Sequence, residues 1–301
     1  MSDDLANIFI QSLERMVQDI RGQRLIFFVA GRAGWGKSST INSLIGQKLC
    51  EVNDNEPQTQ DVTGFDFEMK GIKCTIFDTP GFCDGRGNDD AYIDKIRDKV
   101  RQPDSMWYVS RLDETRPEDD ERVIKIISKA LGNRPWENAV IIFTFANNVK
   151  PEKYSEKLRK RTELIHKAIA QYMPEHEKNV AYEIPVCAID NESPKTPDGK
   201  EWLGALFTAV AQRVSAKGTL ALLYMLGESI NQRTLLSKTQ KELIRKKFVS
   251  TVFNTMTSAM GVGVVIAGII GSPVIIGFSG GGILGTLIGA WLSKSDADDD
   301  Y

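Results

Sequence analysis

The sequence predicts an α/β fold with a doubly wound, mainly parallel sheet, and the first reason is an alternation of two patterns. Short apolar runs, which are typical of strands buried on both faces, alternate with segments whose apolar residues recur at helical spacing. The second reason is a glycine-rich loop between the first apolar run, residues 25–30, and a helical segment. In such sheets ligands bind beyond the carboxyl ends of the strands, so functional residues are expected there.

The individual elements are predicted from local residue patterns. Apolar and polar residues alternate on both sides of Gly71, which predicts a β-hairpin with strands at about 65–70 and 72–77. Residues 3–20 carry one apolar stripe and predict an amphipathic helix before the first strand. The other predicted strands are 106–110, 138–145 and 182–189, and the other predicted helices are 39–45, 117–131, 151–172 and 202–214.

The composition indicates a globular protein without a general affinity for nucleic acid. Of the 301 residues, 42% are hydrophobic and 26% are charged, and the formal net charge is −2. The four cysteines show no Cys-x-x-Cys spacing, so we expect reduced core or loop residues and no metal site built on them. The acidic start, Met-Ser-Asp-Asp, does not support an export signal.

The glycine-rich loop fits the phosphate-binding pattern Gly-x-x-x-x-Gly-Lys-Ser/Thr at every defined position. Its glycines let backbone N–H groups face a polyphosphate, and the dipole of the following helix adds attraction. Lys37 is expected to reach the β- and γ-phosphates, and the Ser38 hydroxyl to bind Mg²⁺. These features predict a P-loop NTPase fold. The predicted phosphate-binding residues are Gly31, Arg32, Ala33, Gly34, Trp35, Gly36, Lys37, Ser38 and Ser39.

A second chemical signal, Asp-Thr-Pro-Gly, follows the hairpin 41 residues after the phosphate-loop lysine. At the end of a strand, Asp78 is placed to hold Mg²⁺, and the Gly81 N–H to contact the γ-phosphate. Thr59 is the candidate threonine that completes the Mg²⁺ shell, with Thr63 as the alternative. Phe82 stands where many GTPases carry a glutamine that orients water, so slow intrinsic hydrolysis is expected.

These motifs resemble those of the AIG1/TOC-type GTPases, which include the protein-import receptors of the chloroplast outer envelope. The resemblance covers about residues 20–215 and also includes Arg-Leu-Asp-Glu-Thr-Arg and Trp-Glu-Asn-Ala-Val-Ile-Ile-Phe-Thr-Phe-Ala-Asn. The import receptors are the most similar, because their segment after the fourth strand has the same R-L-D-x-x-R form. The resemblance implies Mg²⁺-dependent GTP hydrolysis and a homodimer formed through the nucleotide face.

Base recognition departs from the Asn-Lys-x-Asp pattern of Ras-type GTPases. Thr144, Phe145 and Asn147 lie in a Thr-Phe-Ala-Asn stretch similar to the receptors' Thr-His-Ala-Gln, which implies that Phe145 stacks on the purine. Asp190 and Asn191 match the receptors' Glu-Asn pair, and a carboxylate there favours guanine over adenine. The alternative is that Phe145 belongs to the core and Asp190-Asn191 to a turn.

Arg116 matches an arginine that, in the import receptors, reaches across the homodimer toward the partner's nucleotide. The resemblance therefore implies a role in catalysis in trans or in building the interface. The alternative is a solvated arginine before a helix.

The C-terminal part predicts a membrane segment. After a nucleotide-binding domain at 1–215 and a helical arm at 216–247, residues 248–293 contain no Asp, Glu, Lys, Arg or His. Pro273 divides this run into halves with small residues at every fourth position, which predicts a hydrophobic helical hairpin in the membrane. A single membrane span and a buried helix pair in a soluble oligomer are the alternatives. Residues 294–301 form an acidic tail.

The sequence therefore favours a GTPase switch on the cytosolic face of a membrane, which dimerises through its nucleotide face and serves an unidentified protein partner. One alternative is a membrane-active or pore-forming effector gated by the nucleotide domain. The other is a membrane-remodelling GTPase, although the chain lacks the long helical stalk of such proteins.

Overall fold

The computed structural model describes residues 24–46, 63–69, 71–78, 89–100, 102–233, 236–244, 246–247 and 250–251. The predicted N-terminal helix over 3–20 lies outside these residues. So do Thr59, Gly81 and Phe82, and so does the predicted hairpin at 248–293 apart from residues 250 and 251.

The sheet has six strands in the order β2-β3-β1-β4-β5-β6. β2 and β3 form an antiparallel hairpin, and every other neighbouring pair is parallel. The prediction of an α/β fold with a mainly parallel sheet is therefore confirmed. The strands are β1 (Arg24–Ala30), β2 (Thr63–Met69), β3 (Ile72–Asp78), β4 (Ser105–Arg111), β5 (Ala139–Thr144) and β6 (Val186–Ala188).

Eight α-helices have defined bounds between the strands and after them, and residues 238–244 are helical as well. Of these, none combines the length and the apolar character that a membrane span requires. They are α1 (Lys37–Ile45), α2 (Asp89–Lys99), α3 (Pro117–Leu131), α4 (Arg134–Glu137), α5 (Pro151–Ala170), α6 (Lys178–Tyr182), α7 (Trp202–Arg213) and α8 (Ala216–Arg233), with 3₁₀ turns at Ala146–Asn148 and Glu175–Glu177.

The predicted strand at 182–189 was too long. Its first residue, Tyr182, ends helix α6 and is 55% exposed, and only Val186–Ala188 pairs with β5. Pro185 lies between the helix and the strand, and it has no N–H to donate to a ladder. The apolar residues of this stretch therefore belong to two elements.

The sheet separates two hydrophobic cores. Strand β1 shows the division, because Leu25, Phe27 and Val29 contribute to one core while Phe28 and Ala30 contribute to the other. The first core is covered by α1, α7 and α8, and the second by α2, α3 and α5. This period of two is what a strand buried on both faces requires.

The stretch predicted as a helical arm is helix α8 over Ala216–Arg233, and this helix packs on the sheet. Leu222, Leu226 and Ile230 lie in the same core as α1 and α7. Ser215 anchors the start of the helix, since its hydroxyl donates to Asp104 Oδ1 at 2.6 Å and accepts from the Gly218 N–H at 3.0 Å. The division of the chain at residue 215 stays a prediction.

The last residue of α8 contacts the end of α1. The guanidinium of Arg233 donates to the carbonyl oxygens of Ser43 and Leu44 at 2.8 and 2.7 Å. Gly46 ends α1 in a left-handed conformation, and a Cβ there would lie 2.9 Å from this guanidinium. Arg233 thus satisfies carbonyls that the helix itself leaves without partners.

A buried ion pair joins α3 to α5 beneath the end of β4. Arg161 donates to Asp120 Oδ2 at 2.6 Å and to the Ser110 hydroxyl at 2.8 Å. The Tyr108 hydroxyl donates to Asp120 Oδ1 at 2.7 Å. Both charged side chains are almost fully removed from water, so their mutual hydrogen bonds replace hydration.

Asp120→Asn is expected to lower the free energy of unfolding by about 3–5 kcal/mol, because it leaves the buried Arg161 charge without its counter-ion. Urea unfolding followed by far-UV circular dichroism measures this loss. The control is Glu163→Gln, which breaks the exposed Arg159–Glu163 pair and should cost less than about 1 kcal/mol. Equal losses in the two variants would contradict a structural role for the buried pair.

Candidate nucleotide-binding site

The phosphate loop lies between β1 and α1, as the motif predicts. Gly34 and Gly36 adopt left-handed backbone conformations with φ of 73° and 79°, which non-glycine residues rarely adopt. The ammonium of Lys37 is buried and donates to the carbonyl oxygens of Gly31 and Arg32 at 3.1 and 3.0 Å. The lysine therefore lies inside the curve of the loop, at the amino end of α1, where a polyphosphate is attracted.

Gly31 brings the loop into contact with strand β4. A Cβ at this position would lie 2.2 Å from the carbonyl oxygen of Val109, so only glycine permits the approach. Trp35 holds the other side of the loop, because its side chain is buried in the core. Of the residues predicted to bind phosphate, Trp35 therefore contributes its indole to packing, while Ala33 and Gly34 lie exposed in the loop.

The predicted Mg²⁺ ligands are only partly within the described structure. Ser38 is the second residue of α1, and the parallel register pairs Asp78 at the end of β3 with Val29 of β1. Both positions thus meet at the carboxyl edge of the sheet beside the phosphate loop. A hydroxyl and a carboxylate are hard oxygen donors of the kind that Mg²⁺ prefers, so these residues fit the ion.

Thr144 connects the predicted base-binding loop to the phosphate loop. Its hydroxyl donates to the carbonyl oxygen of Trp35 at 2.8 Å, with the Ser110 carbonyl oxygen 3.1 Å away. Its methyl group lies 3.4 Å from the position of a Cβ on Gly36. This side chain therefore holds β4, β5 and the loop together.

Asn191 has a similar bracing position. Its amide donates to the Thr40 hydroxyl at 3.3 Å and accepts from the Ser43 hydroxyl at 3.1 Å, and Thr40 donates to the Gly36 carbonyl at 2.8 Å. Both ends of the amide thus face α1. The structure places Asn191 against the phosphate-loop helix.

Asp190 faces the loop that follows β5. Its two carboxylate oxygens accept from the backbone N–H groups of Asn147 at 3.1 Å and Glu192 at 3.0 Å. The Asn147 side chain is turned away and donates to the Lys195 carbonyl oxygen at 3.1 Å. The carboxylate is buried and held in one orientation, and each oxygen keeps a lone pair for a further donor.

Phe145 contacts Arg111, a residue that was not predicted from the sequence as part of the site. The guanidinium carbon of Arg111 is 4.0 Å from the centre of the Phe145 ring. Arg111 belongs to the Arg-Leu-Asp-x-x-Arg motif, which was used for the resemblance and for Arg116. The same motif could therefore have identified Arg111 as a residue of the site.

Arg116 is exposed and lies between two carboxylates. Its Nε is 3.5 Å from Glu114 Oε1 and 3.4 Å from Asp119 Oδ2, and Asp119 also pairs with Arg32 of the phosphate loop. Burial alone would raise the pKa of Glu114, but the N–H groups of Thr115 and Arg116 and the Arg116 charge outweigh it and lower that pKa. The segment carrying Arg116 is therefore bonded to the phosphate loop through Asp119.

The two described cysteines, Cys74 and Cys187, are buried and lack the features of a reactive thiol. Burial raises the pKa of the Cys74 and Cys187 thiols to about 12, so both are protonated near neutral pH. This agrees with the expectation that they are reduced core residues.

The sequence matches a family profile and several known proteins. The profile of the AIG1 family matches residues 24–241. Translocase of chloroplast 34 of Arabidopsis thaliana is 29% identical over 213 residues, which cover 66% of this chain and 68% of the relative. The Pisum sativum Translocase of chloroplast 34 is 27% identical over 202 residues, 62% of this chain and 65% of the relative. Translocase of chloroplast 132 of A. thaliana is 32% identical over 187 residues, 56% of this chain but only 15% of the relative.

Solved structures of Toc33 from A. thaliana share the fold. The complex with GDP and Mg²⁺ has a TM-score of 0.54 and 25% identity, and the match covers 69% of this chain and 94% of that chain. A dimerisation-deficient Toc33 mutant gives a TM-score of 0.55 at 25% identity over 67% of this chain and 88% of that chain. The resemblance predicted from the motifs is confirmed. The family match over most of the chain, on the sheet order and phosphate loop described above, shows that this protein belongs to the AIG1 family and is a GTPase related to the chloroplast translocase GTPases.

Proposed function

We propose that this protein is a Mg²⁺-dependent GTPase switch that dimerises through its nucleotide face and is anchored to a membrane by its C-terminal segment. The observation that carries the nucleotide part is the phosphate loop, in which the Lys37 ammonium lies under the backbone of Gly31 and Arg32. That arrangement places a buried cation at the amino end of α1, and both features attract an anion. Toc33, to which the chain is similar, is known in complex with GDP and Mg²⁺.

In this site Lys37 neutralises the β- and γ-phosphates, and Ser38 and Asp78 hold Mg²⁺, with Thr59 or Thr63 completing the shell. Bound Mg²⁺ would offset the negative charge that develops on the phosphates during hydrolysis. The Gly81 N–H would be the donor to the γ-phosphate. Slow turnover in the isolated protein follows from Phe82, whose side chain has no group to orient water.

The base is recognised by Phe145 and Asp190. The carboxylate is already oriented by two backbone N–H groups, and its remaining lone pairs suit the N1–H and 2-amino donors of guanine. Adenine does not present these donors in that arrangement. GTP is therefore the proposed nucleotide, with ATP as the disfavoured alternative.

Lys37→Ala should lower the affinity for GDP and GTP by at least about 100-fold, because it removes the buried cation of the phosphate loop. Isothermal titration calorimetry with Mg²⁺ and GDP, GTP or ATP measures this loss and the preference for guanine. Lys125→Ala, at an exposed position on α3, is the control and should bind as wild type does. Near-normal GTP affinity in Lys37→Ala would refute the assignment of the phosphate loop.

The dimer proposal rests on the position of Arg116. Its side chain is 58% exposed and is linked to the phosphate loop through Asp119 and Arg32. An exposed cation at the rim of the nucleotide site is available to the anionic nucleotide of a second copy. Dimerisation is important for the GTPase activity of the chloroplast translocon components atToc33 and psToc159.

The specific GTPase activity of the wild-type protein should rise with protein concentration, and Arg116→Ala should remove that rise while changing GDP affinity by less than about 2-fold. Steady-state phosphate release and analytical ultracentrifugation measure the two properties. Loss of dimers with unchanged basal activity assigns Arg116 to the interface. Intact dimers with lower activity make it catalytic in trans. A variant that matches wild type in both assays would leave Arg116 as a solvated charge and contradict the proposal.

The membrane part rests on composition alone. Residues 248–293 carry no charged side chain, and small residues recur every fourth position from Ala259 to Gly271 and from Gly277 to Gly289. Such stripes let helices pack closely in lipid. Basic residues 245–247 and Lys294 flank the run, which favours both ends on the cytosolic side of a helical hairpin.

Removal of residues 252–301 is expected to convert a membrane-bound protein into a soluble one, since it deletes nearly all of the uncharged run and no described residue. Flotation with lipid vesicles measures the change. Full-length Ile283→Arg places a charge in the second half of the run, at a cost of about 2.5–3.5 kcal/mol, and should weaken membrane binding as well. Full-length wild type that stays soluble without detergent would contradict the anchor. Leakage of vesicle contents would instead support the pore-forming effector.

A further inference from the structure

One contact in the site has no role in the proposed function so far, and it joins Arg111 to Phe145. Arg111 is the last residue of β4 and pairs in the parallel register with Thr144, the last residue of β5. Phe145 follows directly, and its ring centre is 4.0 Å from the Arg111 guanidinium carbon. This distance lies well within the range of a cation–π contact.

Asp113 holds the guanidinium in place. Arg111 Nε donates to Asp113 Oδ1 and Arg111 Nη2 donates to Asp113 Oδ2, each at 2.8 Å, so the pair is bidentate. Asn148 donates to Asp113 Oδ2 at 2.9 Å. One carboxylate thus binds the arginine stacked on Phe145 and the end of the turn that begins after Phe145.

The backbone of Phe145 shows that the ring position is imposed by its surroundings. Among the described residues, Phe145 is the only non-glycine residue with a positive φ, at 55°. A bulky side chain is rare in this region and persists where neighbouring contacts determine it. Those contacts include Ala146 N–H to the Ile189 carbonyl at 3.1 Å and Leu112 N–H to the Thr144 carbonyl at 2.9 Å.

We propose that Arg111 and Asp113 form the back of a base-stacking platform, in which Arg111 covers one face of Phe145 and a purine stacks on the other face. This inference rests on the proposed nucleotide site and adds a specificity-determining pair to it. Arg111 is a positioning residue, because it acts on the base through the Phe145 ring. Asp113 in turn positions Arg111.

Two physical effects give the pair its influence on affinity. A guanidinium draws π-electron density toward its own face of the ring, so the opposite face becomes less negative and stacks better on electron-rich guanine. The contact also holds the ring in one orientation before the base arrives, which reduces the ordering cost of binding. Both effects act on the base and leave the phosphate contacts unchanged.

The test compares binding of GDP and of inorganic pyrophosphate, each with Mg²⁺, because only GDP carries a base. Arg111→Met removes the guanidinium and keeps a similar bulk, and it should weaken GDP about 5- to 20-fold while changing pyrophosphate affinity by less than about 2-fold. Arg111→Lys keeps the charge without the bidentate geometry and should show a smaller loss. The matched control is Arg159→Met, which removes an exposed arginine that also pairs with a carboxylate.

A double variant separates a positioning role of Arg111 from a general effect on folding. Phe145→Leu removes the aromatic face and should itself weaken GDP by about 10-fold or more. If Arg111 acts through the ring, adding Arg111→Met to Phe145→Leu should cost less than about a further 2-fold. Urea unfolding of each variant shows that the fold is retained.

Equal losses for GDP and pyrophosphate, or a full additional loss in the Phe145→Leu background, would overturn the platform. Unchanged GDP binding in Arg111→Met would do the same while leaving the proposed GTPase intact. Wild-type protein that binds neither GDP nor GTP would overturn the proposed function together with this inference. A selective, non-additive loss of GDP affinity supports both.

Discussion

The ion pair between Asp120 and Arg161 fixes helices α3 and α5 against the end of strand β4. It lies out of water beneath the carboxyl end of that strand, and Tyr108 and Ser110 of β4 are hydrogen-bonded into it. Charges so buried have few alternative arrangements, because any displacement would leave one of them unpaired. The start of α3 and the middle of α5 are thereby fastened to the strand.

The ion pair matters because residues 111–119 contact two parts of the candidate nucleotide site and also helix α5. Asp119 pairs with Arg32 of the phosphate loop, and Arg111 stacks on Phe145 of the base loop. The Glu114 carbonyl oxygen accepts from Lys157 of α5 at 3.0 Å. The segment that carries Arg116 is thus the same one that contacts the phosphate loop and Phe145.

The parts of this structure that the sequence could predict are those governed by local rules. The phosphate loop needs glycines at left-handed positions, and the hairpin about Gly71 follows from strict alternation. Helix α2 was missed because its sequence is mostly charged and shows few inward apolar residues, among them Ile93 and Ile96. Pro185 marked the true start of the last strand, but the apolar residues on both sides of it led to the longer predicted strand at 182–189.

Side-chain direction was harder to predict than element type. Thr144 and Asn191 were expected near the base from motif position, yet their polar atoms bind the phosphate loop and its helix. Whether a loop side chain turns to ligand or to scaffold depends on neighbours brought together only by the fold. Arg111 shows the opposite case, since its partners Asp113 and Phe145 lie on two loops that meet only because β4 and β5 are adjacent.

The contact of Arg233 with α1 has a mechanical meaning. Helix α1 has nine residues, so it is a rod about 13 Å long. The amino end of the helix meets the phosphate loop, and two carbonyl oxygens near its carboxyl end accept hydrogen bonds from Arg233, the last residue of α8. Beyond α8 the chain continues toward its uncharged C-terminal part. Arg233 therefore links the end of α8 directly to the helix that begins at the phosphate loop, and a relative shift of the two helices would break both hydrogen bonds.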